Sequence, residues 1–227
     1  MSQTSNNLAF AEASSDAAVA EAIHPRGFPE SALHDAPVKS KEQVSIDPGT
    51  IMLTKRNGEK ELSDPLKLIK WGEFGRDFVK NRNVDFTRIM RDTLQGMRDG
   101  MTTTELHLSM IRHTLDGGDD AHNKMAGVLY APHLHKEIHK DGMPTVYELQ
   151  KKLRMLGLMR KLDYTKQEYE EIEKIIDHRR DYGYAHFQLE QLVRKYAVQD
   201  RVKRIIYETP QYPFMRMAMA VLRKAKK

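Results

Sequence analysis

Three times in this chain a threonine stands three residues before a glutamate: Thr102 and Glu105, Thr145 and Glu148, Thr165 and Glu168. At that spacing the hydroxyl caps an N–H of the first helical turn while the carboxylate reaches back to the N–H of the threonine. Each pair satisfies two donors that a helix start otherwise leaves open. Each therefore predicts a helix beginning on the next residue. Leu106, Met110 and Ile111 follow the first pair, and Tyr169, Ile172 and Ile176 the third, at the intervals of one helical face. Another start is built from Asp64 and Pro65, an N-cap followed by a residue whose fixed φ suits the first helical position. So many fixed helix starts predict a mainly α fold.

Further helices are expected over 86–97, ended by Asp99-Gly100, and over 121–139, where Pro132 should kink or shorten the helix. The helix after Thr102 should stop at Gly117-Gly118. Others are expected near 146–156, 166–180 and 184–195, with a last one after Pro210. On the helix from Pro65, Leu66, Ile69, Trp71 and Phe74 supply part of the buried face, and Gly72 and Gly75 weaken its end. A small β component precedes it. Met52–Arg56 and Glu59–Leu62 flank Asn57-Gly58, a pair that suits a two-residue type I′ hairpin turn. A second pair of short strands is expected over 196–198 and 204–207. Residues 1–50 read as a flexible leader in which 11–23 suit a short Ala-rich helix, and residues 223–227 as a basic tail.

The 227 residues contain no cysteine. Within the chain this excludes disulfides, thiolate zinc sites and thiol redox or thiyl radical chemistry. No apolar run approaches the ~18–20 residues of a membrane span, and no secretory signal pattern is present. The net charge of +5 suits anionic partners. An aromatic content of 7% and the absence of a recognition motif argue against nucleic acid as a partner.

The cations concentrate around the first hairpin. Lys55 and Arg56 precede the tight turn, Lys67 lies in the first turns of the next helix, Thr103 and His107 begin another, and Lys136 stands near the end of the fourth. Brought together, they form an anion pocket: ammonium point charges, a guanidinium fork and a helix N-terminus with free N–H groups. Dispersed, they are ordinary surface residues. His133, His135 and His139 read as a solvated helix face rather than metal ligands, since no cysteine or carboxylate pair completes a site. Asp177, His178, Arg180 and Asp181 read as a structural ion-pair cluster at a helix end.

Residues 51–140 resemble an ATP-cone, the regulatory nucleotide-binding domain of many ribonucleotide reductases. The resemblance rests on Thr54-Lys55-Arg56-Asn57-Gly58, on Asp64 with Lys67, and on the run from Asp99 to His107. It implies phosphate contacts from Lys55, Arg56, Lys67, His107 and Lys136. It further implies Glu61 and Asp64 near the adenine, Leu53 lining the base pocket and Thr103 near the nucleotide. The chain departs from the pattern at Asp64, often Asn in the cone, and at Val128, where the last cone helix usually carries Arg. Gly127 and Pro132 interrupt that same helix.

Residues 143–222 are similar to the all-helical N-terminal domain of the class I reductase large subunit. The resemblance rests on Ile176 to Asp181, Tyr184, Gln191-Leu192, Lys195-Tyr196 and Ile206 to Tyr212. It places a cone-like α+β domain before a helical one and implies no catalytic residue and no metal in this chain. ATP or dATP, with Mg, is the implied effector. The implied partners are a complementary fragment bearing the catalytic barrel, a small radical-generating subunit within the whole complex, and further large subunits in a homo-oligomer. No membrane or nucleic acid is implied, and the compartment is the cytoplasm (the host's, for a viral protein). Met215, Met217, Met219 and Val221 would pack against the barrel. Two other readings are a degenerate cone that serves only as an assembly scaffold, and a basic nucleic-acid-binding module.

Overall fold

The computed structural model describes residues 47–80 and 83–222. The 11–23 helix, most of the leader and the basic tail lie outside the described residues. The described part opens on a 3-10 turn, Pro48–Thr50, capped by Asp47, and a two-stranded antiparallel hairpin of β1 (Met52–Thr54) and β2 (Lys60–Leu62). Eight α-helices follow: α1 Pro65–Val79, α2 Phe86–Gln95, α3 Thr103–Leu115, α4 Asp120–Ile138, α5 Val146–Met155, α6 Lys166–Glu173, α7 His186–Gln191 and α8 Gln211–Leu222. A 3-10 helix, His178–Gly183, precedes α7, a π turn over Leu192–Tyr196 extends it, and a second hairpin pairs β3 (Gln199–Asp200) with β4 (Ile205–Ile206). The protein is mainly α with a small β component, as the helix starts predict.

The capping logic is realised in full. Thr102, Thr145 and Thr165 each receive the backbone N–H three residues on, and Glu105, Glu148 and Glu168 each accept from the threonine N–H. Asp64 caps α1 through the N–H groups of Leu66 and Lys67.

Several expectations are corrected, each for a physical reason. The first hairpin turn is not type I′, because only Gly58 takes positive φ (86°) while Asn57 does not. Gly58 N–H donates to the Lys55 carbonyl and Lys55 N–H to the Glu59 carbonyl, giving a three-residue loop with a left-handed glycine at its end. Gly72 and Gly75 do not weaken the end of α1. They lie inside it, where a Cβ would meet Phe86 and Met90 at one position and Leu129 at the other. They let α2 and α4 approach, and the helix runs on to Val79, while Leu66 and Phe74 stay exposed. Of the two effects expected of Pro132, a kink or a shortening, the shortening does not occur, and α4 runs on to Ile138. Its packing on both sides outweighs the one backbone hydrogen bond that proline forfeits. The helix expected over 166–180 ends at Glu173, and the Asp177-capped 3-10 helix takes over.

Helix α4 lies between two apolar cores. One, built on Leu53, Ile89, Met110 and Met125, unites the hairpin with α1–α4. The other side of α4 packs Ala131 and Leu134 against Leu189 and Val193 of α7 and the π turn. A further core joins Leu149 and Leu153 of α5, Tyr169 of α6, and Tyr212 and Met219 of α8. Met219 and Met215 therefore face this chain's own interior, while Phe214, Met217 and Val221 remain exposed on the opposite side of α8. Among the described residues no helix is long and apolar enough to cross a membrane.

One polar knot ties α4, the 3-10 helix and α8 together. Asp181, wholly buried, accepts from Gln211 Nε2 at 2.8 Å and lies 2.7 Å from His135 Nε2. The expected cluster at 177–181 thus divides: Asp177 pairs with Arg179 at the surface, and Asp181 serves α4 and α8. The histidines of α4 are not a solvated face either. His133 is 8% exposed, His135 is engaged by Asp181, and the His139 ring meets the edge of Tyr212.

Candidate functional site

The first hairpin is fastened to the start of α3 by backbone and side-chain bonds. Met52 N–H donates to Asp99 Oδ1 (2.9 Å), Gly100 N–H to the Met52 carbonyl (2.8 Å) and Thr54 N–H to the Met101 carbonyl (2.9 Å). The loop carrying Lys55 and Arg56 therefore projects from the N-terminal end of α3. There the N–H groups of Thr103 and Thr104 lie outside the helical ladder, giving that end a positive partial charge.

Arg56 is the hub. Its Nε donates to Thr104 Oγ1 at 3.2 Å and its Nη2 lies 3.4 Å from His133 Nδ1, so one guanidinium links hairpin, α3 and α4. Beside it is a cavity of about 490 Å³ lined by Arg56, Asn57, Thr104, Lys136, Glu137 and Lys140. Among the described residues Lys136 and Lys140 take no ion-pair partner. His107 stacks on Trp71 with ring centroids 4.3 Å apart. Burial, and then the positive charges of Lys136, His133 and Arg56, hold its pKa down to about 4, so it is a neutral donor–acceptor at pH 7.

The predicted residues fall into three groups. Arg56, His107 and Lys136 share one electrostatic field. Lys67 and Thr103 lie one helical turn before Trp71 and His107, on the faces that carry this stack. The others have different partners. Lys55 Nζ is 3.1 Å from Glu61 and 3.5 Å from Glu59, and chiefly Glu61 raises its pKa. Glu61 is committed to that pair, Asp64 to capping α1, and Leu53 is 5% exposed within the core. Val128 is buried at 1%, so its position faces the interior. Sequence reasoning missed Trp71, Thr104, His133 and Lys140. Spacing carried a signal for three of them: Trp71 is four residues after Lys67, and His133 and Lys140 are three before and four after Lys136.

Chemically the cleft, with Glu137 on its wall, offers a guanidinium fork, two ammonium groups and a helix N-terminus, with the neutral His107 imidazole in the same electrostatic field, a donor set suited to an anion. Among the described residues no cluster of three or more His, Asp or Glu is arranged to hold a metal ion.

No family model matches the chain. Curated relatives do. The ribonucleoside-diphosphate reductase subunit alpha of Haemophilus influenzae is 31% identical over 189 residues, 78% of this chain and 24% of the relative. That of Buchnera aphidicola from Schizaphis graminum is 29% identical over 188 residues, again 78% and 24%. The ribonucleoside-diphosphate reductase 1 subunit alpha of Escherichia coli K12 is 29% identical over 180 residues, 74% of this chain and 23% of the relative. The chain spans about a quarter of the length of the relatives it matches. Over about three quarters of its residues the chain is accordingly related to an N-terminal region of the ribonucleoside-diphosphate reductase large subunit.

Proposed function

We propose that residues 51–140 form a cone-like sensor for ATP or dATP, and that residues 143–222 are the helical portion through which it joins a barrel-bearing polypeptide to make deoxyribonucleotides. The observation that carries the sensor reading is the convergence of Arg56, His107 and Lys136 beside the start of α3. In this reading Arg56 and Lys136 take the phosphates, with Lys67 and Lys55 recruited from the rim, and the Trp71–His107 stack closes the inner wall. Binding biases the assembly state of the whole enzyme through its differential affinity for each state. The exposed Phe214, Met217 and Val221 supply the apolar face of α8 toward the barrel. The small radical-generating subunit and further large subunits join through that complex, in the cytoplasm.

Calorimetry tests the sensor. ATP or dATP, with Mg, is expected to release heat at one site, and Lys55→Ala with Arg56→Ala to weaken binding at least a hundredfold. The estimate assigns about 1.5–3 kcal/mol to each charge-assisted contact. Silence with both nucleotides removes the reading.

A second expectation concerns His107. Its folded pKa lies below its unfolded value, so the folded state holds fewer protons than the unfolded chain. The stability that its neutral burial contributes is present above about 6.5 and lost as pH falls through about 4. A triphosphate beside the ring favours the charged form. NMR titration of the His107 ring is expected to show its midpoint rising when ATP is added; an unmoved midpoint places the phosphates elsewhere.

One observation favours a scaffold instead: Lys55, Glu61 and Asp64 already have partners within the protein. A scaffold keeps its partner binding in the Lys55→Ala, Arg56→Ala double variant and shows no nucleotide effect in either form.

A further inference from the structure

The guanidinium of Arg56 reaches beyond its own cleft. Arginine can only donate, so its contact with His133 makes Nδ1 the acceptor and puts the proton of the neutral imidazole on Nε2. Burial, and then the charge of Arg56, hold His133 below its ordinary pKa and keep it neutral at pH 7. One turn earlier on α4 stands Tyr130, its ring centroid 5.8 Å from that of His133 and its plane 20° from parallel. The Tyr130 ring also packs on His186 of α7, 4.6 Å away.

Tyr130 carries the contact off α4. Its hydroxyl donates to Glu190 Oε1 on α7. Burial, and then Glu190, raise the pKa of this phenol, so it remains a donor at neutral pH. The other oxygen of Glu190 pairs with Arg194 Nε, one turn further on. A carboxylate that is only a quarter exposed is thus shared between a phenol of α4 and a guanidinium of the π turn.

The π turn is the element that can change state. Ala197 N–H donates to the Leu192 carbonyl at 3.1 Å, where an α turn would use the N–H of Tyr196. The two windings differ by one step of the hydrogen-bond ladder, and such turns are frequent at functional sites. Glu190 stands just before the turn and Arg194 within it, so their pair spans the point where the winding changes. At the exit the Tyr196 carbonyl accepts from Arg216 of α8, the helix that leaves Phe214, Met217 and Val221 exposed.

We propose that the Arg56 cleft and the π turn form one regulatory device: an anion that draws Arg56 away from His133 loosens the Tyr130–Glu190–Arg194 chain, and with it the π turn that holds Arg216. His133 is 8% exposed, so its ring cannot turn without displacing its neighbours, and close packing passes the movement on. The identity of the anion rests on the nucleotide reading; the chain of contacts does not.

Amide hydrogen exchange of the full chain tests the device without any ligand. Arg56→Ala imitates the withdrawn guanidinium, and Arg56 is exposed, so its loss leaves the apolar cores intact. Exchange at residues 192–197 is expected to quicken at least about fivefold, the lower end of coupling between sites. Tyr130→Phe cuts the chain at one hydroxyl. In that background the added effect of Arg56→Ala is expected to shrink to less than about twofold, the scatter between uncoupled sites. Lys55→Ala removes an equal charge from the same loop, but that charge is paired with Glu61, and residues 192–197 are expected not to respond. Any of three results overturns the proposal: unchanged exchange in Arg56→Ala, the full effect surviving in Tyr130→Phe, or an equal effect from Lys55→Ala. Absence of heat with ATP removes the nucleotide reading and leaves the exchange result standing.

Discussion

Replacing Gly127 by alanine is expected to cost about 3 kcal/mol or more and to lower the melting temperature by roughly 6–12 °C, a conversion appropriate to a protein of this size. The addition of a single methyl group has this effect because of what it faces. A Cβ at position 127 falls 2.1 Å from the Tyr184 carbonyl oxygen, 2.8 Å from the Ala185 carbonyl carbon and 2.9 Å from His186 N. All three are backbone atoms at the start of α7, so no side chain can rotate away. Either α7 retreats, opening the Ala131–Leu134–Leu189–Val193 contact, or α4 bends. Gly75→Ala provides the control. Its Cβ meets the Leu129 side chain at 2.7 Å, a group that has other rotamers, so the penalty should be smaller. Urea or thermal titration of both variants checks the pair, and equal, mild losses mean that α7 is not held against α4 as described.

Glu208→Ala should rank beside it, with a loss of about 3–5 kcal/mol typical of breaking a buried ion pair from one side. Glu208 is 1% exposed and uses both oxygens. Oε1 accepts from Arg216 Nε at 2.8 Å, and Oε2 accepts from Arg216 Nη2 at 3.1 Å and from Val198 N–H at 2.8 Å. Arg216 also donates to the Tyr196 carbonyl at 2.8 Å, so the pair ties the exit of the π turn to α8. Removing the carboxylate strands a backbone donor and a guanidinium that is only a quarter exposed. That partial exposure favours the lower end of the range. Glu208→Gln keeps acceptor capacity for Val198 and is expected to fall between wild type and alanine in a denaturant titration. A loss below 1 kcal/mol for the alanine variant would show that water replaces the carboxylate freely.

Local chemistry was legible in the sequence and distant chemistry was not. Thr102, Thr145, Thr165 and Asp64 act within four residues of themselves, and every one of those helix starts forms as written. Glycine was misread wherever its role was set by a remote neighbour. Gly72, Gly75 and Gly127 look like weak points by propensity, yet each admits an element that arrives from elsewhere in the chain. The histidines of α4 were misread for the same reason, since the partner of His135 is 46 residues away. At the candidate site, motif order singled out Arg56, His107 and Lys136, which do converge. It had no means to reveal that Lys55 and Glu61 pair with each other, or that His133 stands behind Arg56.

Helix α4 is a rod of 19 residues, about 28 Å long at the usual rise, and its two flanks belong to different cores. It works as a common axle. A torque applied at its far end, where Lys136 stands, bears on both cores, because Leu129 is seated in the notch at Gly75 and Gly127 is held against the start of α7. Whatever reorients that end must turn the bearings on both sides at once.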